Sequence, residues 1–265
     1  MDNFTHSLTG WALGQAGLKE KSRKGLAALI LAANAPDIDV FTFWIPWEPL
    51  AVHRGVTHSL IGGVIVLPLL LWRLLLLLDR WQVKRGVTFK SGLAIRPGWL
   101  LALCYLGSIT HPLLDLQTTY SVQLFSPLSD LWYHADSLFI IDLWVWIALA
   151  GTILWSKRRE AHGDPGYRLP AQAALAGAFV YICFNLGLSD TATSRLAQRE
   201  PQATSIFASP PPLAFWRRGL SWREGDAIGR ANWSLLGGLE PSQAPAPDNM
   251  DDPLVRTAIA RNPEL

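Results

Sequence analysis

The chain is 265 residues long, half of them apolar, with only 17 % charged residues and a net charge of +2. Charge this sparse is below the level usual in soluble domains, and a net charge of +2 is too small to suggest a nucleic-acid binder. The apolar residues gather in long runs instead of being spread as a soluble core requires, so the chain reads as an integral membrane protein.

A membrane-crossing helix needs about 20 mostly apolar residues. In chain order, residues 4–18 and 25–35, the latter running on to 43, are short and read as short spans or re-entrant helices. Residues 60–78 form the strongest span, and their single charge, Arg73, is placed to snorkel. Residues 99–114, 138–155 and 171–188 follow as further spans. The start, MDNFTHSLTG, has neither the basic region nor the cleavage site of a signal peptide. Cys104 and Cys183 lie inside apolar runs and read as small packed residues. Residues 205–238 carry short apolar patches with turn signals, as a small β-rich appendage does, and residues 239–253 read as a disordered linker. The expected fold is an all-α, polytopic transmembrane bundle of about six helical segments with a small C-terminal extracytoplasmic appendage open to β-structure. The division is 1–190 for the transmembrane domain and 191–265 for the appendage.

Lysines and arginines sort the loops. Lys19, Lys21, Arg23 and Lys24 follow the first segment; Arg80, Lys84, Arg85, Lys90 and Arg96 follow the third; Lys157, Arg158 and Arg159 follow the fifth. The positive-inside rule puts these three loops in the cytoplasm, in a multi-pass protein of a bacterial-type inner membrane. Trp44, Trp47 and Trp132 then fall at the outer interface, and Trp72, Trp81, Trp99 and Trp155 at or near the inner one.

Five of the six histidines avoid the basic loops, and His162 is the exception. They occur in the stretches Thr5-His6, HRGVTHS with His53 and His58, HPLLD with His111 and Asp115, and HAD with His134 and Asp136; NAPDID adds Asp37 and Asp39, and Asp142 follows. The topology read from the basic residues delivers all of these to one face, the extracytoplasmic one. His111 and Asp115 stand four apart, which on a helix is one face, and imidazole with carboxylate suits Zn²⁺ or a similar ion. The competing reading is a hydrogen bond stapling a helix end, and Pro112 can kink the helix between them. His53 and His58, five apart, share no helical face, but Gly55 permits a turn that brings both inward. Asp37 and Asp39 also fit plain turn chemistry, yet ionisable groups beside a bilayer are usually functional. Arg54 suits a phosphate or carboxylate clamp as well as a headgroup anchor. The expected metal ligands are His6, Asp37, Asp39, His53, His58, His111, Asp115 and Asp136, with Asp37, Arg54 and Asp115 in catalytic roles. The expected cofactor is a divalent metal, Zn²⁺ foremost, as one to three ions.

The segments MDNFTHSLTG, ANAPDID, HRGVTHSL, THPLLDLQTTY and FSPLSDLWYHADSLFIID, in that order, resemble the YdjM-like family of membrane-bound metal-dependent hydrolases. The resemblance covers roughly residues 1–150 and extends more weakly to SPPPLAFWR. It implies a distant similarity to zinc-dependent phospholipase C and single-strand-specific zinc nucleases, with His111 and Asp115 as the counterpart of their His-x-x-x-Asp helix. The other ligands would then be His6, Asp37 or Asp39, and His58. Those enzymes carry a further His-x-x-x-Glu pair that is missing here, where Asp136 or Asp142 would have to substitute.

The resulting expectation is metal-assisted hydrolysis of a phosphoester of a lipid or lipid-linked substrate, with membrane lipids and no nucleic acid as partners. Two other classes stay open. A transporter or ion pathway would place its ionisable groups near the bilayer midplane, whereas these sit at helix ends. A non-catalytic scaffold would hold its metal with four protein ligands and no open position. Neither a Gly-rich phosphate loop nor a Gly-x-Ser-x-Gly elbow is present.

Overall fold

A computed structural model describes residues 1–44 and 53–261. Trp47 lies outside the described residues, as does the side chain of Trp44.

Helix α1 (Asn3–Gln15) starts where the extended Asp2 accepts hydrogen bonds from the amides of Phe4 and Thr5, satisfying two of the orphan donors of the first turn. Helix α2 (Gly25–Asn34) returns antiparallel to it. Pro36 then removes an amide donor, and the chain continues as a 3₁₀ stretch, Ala35–Trp44. A 3₁₀ turn (Val56–His58) leads through the N-capping Ser59 into a π-helical stretch, Leu60–Val66, and on into α3 (Leu67–Lys84). Then come α4 (Pro97–Asp115), α5 (Leu143–Ala161) and α6 (Leu169–Arg199).

Close backbone approach fixes the middle of this assembly. A side chain at Gly107 of α4 would put its Cβ 2.6 Å from the Leu29 carbonyl oxygen, and one at Gly10 of α1 would put it 2.8 Å from the same atom. The two glycines therefore let α2 lie against both neighbours, as small residues do where helices touch. One apolar core joins α2, α3 and α4 through Leu29, Ala32, Leu75, Leu100 and Leu103. A second joins α1, α5 and α6 through Leu8, Ala12, Leu149, Ile153 and Ala174.

The basic connections collect at one end of the helices. Arg23 grips the buried Asp79 with two hydrogen bonds of 2.8 and 2.7 Å, Lys19 pairs with Glu160, and Arg168 pairs with Glu20. Fork-on-carboxylate geometry makes the first of these the most directional.

The expectation of an all-α bundle of about six crossing segments is corrected on two counts. Among the described residues two helices, Leu60–Lys84 with 25 residues and Leu169–Arg199 with 31, are long and apolar enough to cross a membrane. The others miss for separate reasons. Helices α1 and α2 have 13 and 10 residues, too few for a hydrocarbon core that needs about 20. Polar Ser108, Thr110 and His111 interrupt α4, and the apolar part of α5 stops before Lys157. Part of the apolarity read as lipid-facing is spent on the two helical cores instead.

The second correction is a five-stranded antiparallel sheet: β1 (Thr204–Ser209), β2 (Arg217–Glu224), β3 (Ala227–Ser234), β4 (Gly238–Leu239) and β5 (Gln243–Pro247). Its order is β1-β2-β3-β4, and β5 also pairs with β3. Strand β5 falls where a disordered linker was expected. Its prolines lack amide donors, which an edge position tolerates. A last helix, α7 (Pro253–Arg261), follows.

At 1.5 Å per residue α6 is about 46 Å long, more than a hydrocarbon core of about 30 Å. Its final turns pack Leu188, Ala192 and Leu196 onto Ala208, Leu220, Trp222 and Trp233 of the sheet. The buried guanidinium of Arg218 on β2 hydrogen-bonds Ser189 and Asn185 of the same helix and fixes the junction.

Candidate metal centre

The end of the helices opposite the basic connections holds five buried or nearly buried ligand side chains from four elements. His6 lies one turn into α1. Asp37 lies on the 3₁₀ stretch after α2. His58 closes the 3₁₀ turn before the π-helical stretch, a backbone irregularity common at functional sites. His111 and Asp115 share a face in the last turns of α4, which continues through Pro112 as one helix. His6, His58, His111 and Asp115 are essentially excluded from solvent.

The ligand atoms converge. His58 Nε2 lies 3.2 Å from Asp37 and 3.5 Å from Asp115. His111 Nε2 lies 3.5 Å from Asp37 and 3.4 Å from Asp115. His6 Nε2 lies 3.4 Å from the other Asp115 oxygen, and its ring stacks on that of His111 at 3.9 Å. A further group adjoins these: Asp39 lies 3.1 Å from His53 Nδ1 and 3.2 Å from His58 Nδ1. Three overlapping sets result, His6/His111/Asp115, Asp37/His58/His111 and Asp39/His53/His58, each with ligand atoms within 4.8 Å of one another.

These residues fit a metal. Zn–N and Zn–O bonds of about 2.1 Å in a tetrahedral site put neighbouring ligand atoms about 3.4 Å apart. The spacings of 3.2 to 3.5 Å bracket that value. His111 donates its Nδ1–H to the Ala33 carbonyl at 2.7 Å, so its lone pair lies on Nε2, facing the carboxylates. Yet among the described residues His111 Nε2 makes no hydrogen bond, and neither does either ring nitrogen of buried His6. Buried polar atoms left unpaired are costly, and a cation removes the cost at His111 Nε2 and at whichever His6 nitrogen ligates it.

Electrostatics favour the ionised carboxylates. Burial on its own would raise Asp37, but the imidazoles of His111 and His58 outweigh it and hold the acid well below the usual carboxylate range. Burial likewise opposes Asp39, and there His53, His58 and the Thr57 hydroxyl win. The Thr57 bond to Asp39 is 2.8 Å long. Arg54 sits beside the centre in the left-handed region (φ 65°), buried, with its guanidinium 3.7 Å from Asp115 and bonded to Thr118 and the Ser121 carbonyl.

Of the eight expected ligands, seven are brought together. Asp136 is placed elsewhere: it takes part in none of the three sets. Its carboxylate pairs with His134 Nδ1 at 2.8 Å and accepts the Ala208 amide at 2.7 Å, so it ties the loop before α5 to β1. Asp142 caps α5 through Trp144 and Val145 and accepts a hydrogen bond from Tyr181. His162 caps the far end of α5. Asn3 was not singled out in the sequence, and its amide bonds Asp37 at 2.8 Å. Its only sequence signal is its place one turn before His6.

A family model described as YdjM inner membrane protein matches residues 1–191, which include every residue of the centre. Neither a curated protein nor a solved structure matches the chain.

Proposed function

This chain belongs to the YdjM family of inner membrane proteins, and from there we propose that it is a metal-dependent hydrolase of phosphoesters, working at the extracytoplasmic face of the membrane. One observation carries the reading: ligand atoms from four elements meet at coordination spacing around buried imidazole nitrogens that have no hydrogen-bond partner among the described residues. His6, Asp37, His58, His111 and Asp115 would hold one or two divalent ions, Zn²⁺ by their nitrogen and oxygen chemistry, with Asp39 and His53 completing the adjoining set. Such an ion supplies Lewis-acid chemistry, acidifying water and polarising a phosphoryl group.

The remaining work falls to the chain itself. Arg54 lies where its fixed positive charge can meet the negative charge of a phosphoester, and Thr118 and Ser121 hold it there. Asn3 holds the Asp37 oxygen turned away from the imidazoles, and Thr57 holds the Asp39 oxygen that faces His58. The basic connections at the opposite end favour the cytoplasm, which leaves the centre on the outer side.

Elemental analysis of the purified protein, with hydrolysis of bis(p-nitrophenyl) phosphate, tests this. Wild type should carry metal and turn over. His111→Ala and Asp115→Ala should lose both. Unchanged metal content in both variants rules the assignment out.

A further inference from the structure

Residues 122–133, VQLFSPLSDLWY, form a closed loop beside the metal centre. Val122 and Tyr133 exchange two backbone hydrogen bonds of 2.9 and 3.0 Å at its neck, and the Phe125 ring packs edge-on against Tyr133. Its tip is apolar and open: Leu128 is 80 % exposed, Leu131 65 %, and Phe125 and Trp132 45 % each. Asp130 is its one charge. A built loop that presents four large apolar side chains together is an interaction surface, since scattered exposure does not cluster in this way.

Two hydrogen bonds set its depth. The Leu124 carbonyl accepts the Leu60 amide at 2.9 Å, and the Gln123 amide donates to the Arg54 carbonyl at 3.1 Å. Leu60 is the first residue of the 25-residue helix, the more apolar of the two described helices that can cross the bilayer. A loop bonded to the first residue of such a helix sits at the edge of the hydrocarbon. Trp132 and Tyr133 are the residue types that populate that level. His58, two residues before Leu60, ties the metal centre to the same level. Ile38 and Phe41, next to Asp37 and Asp39 in the chain, are also apolar and open, 55 % and 72 % exposed.

We infer that residues 122–133 are seated in the outer leaflet as a wedge, which holds the metal centre at the phosphate layer and makes its substrate a phosphoester anchored in the bilayer. The second half rests on the hydrolase reading above; the first does not. Lipid is the occupant because the loop is continuous with the start of a membrane-crossing helix.

Two measurements decide it. A fluorophore on Leu128→Cys, with Cys183→Ser and Cys104 left buried, is read in phosphatidylcholine/phosphatidylglycerol vesicles. The reference is a fluorophore on Leu236→Cys at an exposed turn of the sheet. Lipids bearing a nitroxide near the headgroup should quench the Leu128 label several-fold more than the reference, and aqueous iodide should do the reverse. Iodide quenching equal at both positions overturns the wedge. So does shielding of Leu128 that vanishes on dilution of the protein, which would make a second copy the occupant.

The second measurement compares hexadecyl p-nitrophenyl phosphate in vesicles with its ethyl analogue in solution. Wild type should prefer the anchored ester by about ten-fold in kcat/KM, and Leu128→Asp/Trp132→Asp should bring the ratio to about one. No preference in wild type, or an unchanged ratio in the variant, overturns the substrate assignment. Absence of all hydrolysis removes that assignment together with the hydrolase reading, while the quenching still decides the wedge.

Discussion

His111 donates its Nδ1–H to the carbonyl of Ala33 at 2.7 Å, and that bond determines which nitrogen faces Asp37 and Asp115. Ala33 is in the last turn of α2, where carbonyls have lost their intrahelical partners. The helix end gains a donor and the imidazole gains a fixed tautomer. His111→Gln, which keeps polarity without a nitrogen lone pair, should lower metal affinity by at least about 100-fold, more than any loss of an outer-shell partner. Competition with a chelator indicator measures it, and an affinity within a few-fold of wild type would take His111 out of the ligand set.

Thr57 reaches Asp39 through a 2.8 Å hydrogen bond and touches His58 Nδ1 at 3.1 Å, so it orients one ligand of the adjoining set without being a ligand itself. Thr57→Val keeps the shape and removes the hydroxyl. Such partners are worth about 10–100-fold in affinity. The expected result is loss of the weaker-bound metal fraction while the His6/His111/Asp115 set stays loaded. Metal stoichiometry by elemental analysis, wild type against variant, gives the answer.

Arg54 should separate charge from geometry. Its guanidinium is held by Thr118 and Ser121 and stands 3.7 Å from Asp115. Lysine keeps one charge but cannot reproduce the fork. With metal content unchanged, Arg54→Lys should reduce kcat/KM on bis(p-nitrophenyl) phosphate by about 10–100-fold, short of the roughly 100- to 1,000-fold that complete loss of a charge-stabilising donor costs in such sites, because lysine keeps the charge. Equal activity in the variant would leave Arg54 with a purely structural part.

Much of the centre is legible in the sequence, because its ligands cluster at ends of apolar segments and the basic loops sort those ends. The four-residue spacing of His111 and Asp115 survives as a shared face despite Pro112. Asp136 misleads for a physical reason. It sits at the same end of the helices, but its carboxylate is used by the Ala208 amide, and no pattern within residues 1–150 announces that β1 will dock there. The number of crossing helices misleads for another. Apolar composition does not distinguish a surface facing lipid from one facing Leu29 or Leu149, so α1 and α2 read as short spans or re-entrant helices, although they are too short to cross. Pro-rich residues 243–247 hide an edge strand, because proline lowers strand propensity without forbidding an edge.

Gly107 tests the close packing that carries Asp37 to the site. A methyl there would meet the Leu29 carbonyl oxygen at 2.6 Å and Ala32 Cβ at 2.9 Å. Backbone cannot yield as a flexible side chain does, so Gly107→Ala should cost about 1–3 kcal/mol. Gly151→Ala on α5, where nothing lies within 4 Å, should be neutral or gain up to about 1 kcal/mol from helix propensity. Thermal midpoints of the two variants should move in opposite directions, or the second not at all. A silent Gly107→Ala would mean that α2 and α4 do not approach as described.

The pair His134 and Asp136 should make the docking of the sheet depend on pH. The Asp136 hydrogen bond raises the His134 pKa, with burial opposing it to a smaller degree, and the ring also stacks on Phe207 of β1 at 4.4 Å. A histidine whose pKa is raised by folding adds its stability in full below the unfolded value of about 6.5 and loses it as pH climbs through the folded value. The imidazole is 28 % exposed, so solvent screening limits the contribution to about 1 kcal/mol. His134→Gln should therefore unfold about 2–3 °C below wild type near pH 6, and the two midpoints should converge as the pH is raised above that. A gap that stays constant over that range would assign the effect to stacking on Phe207 and not to charge.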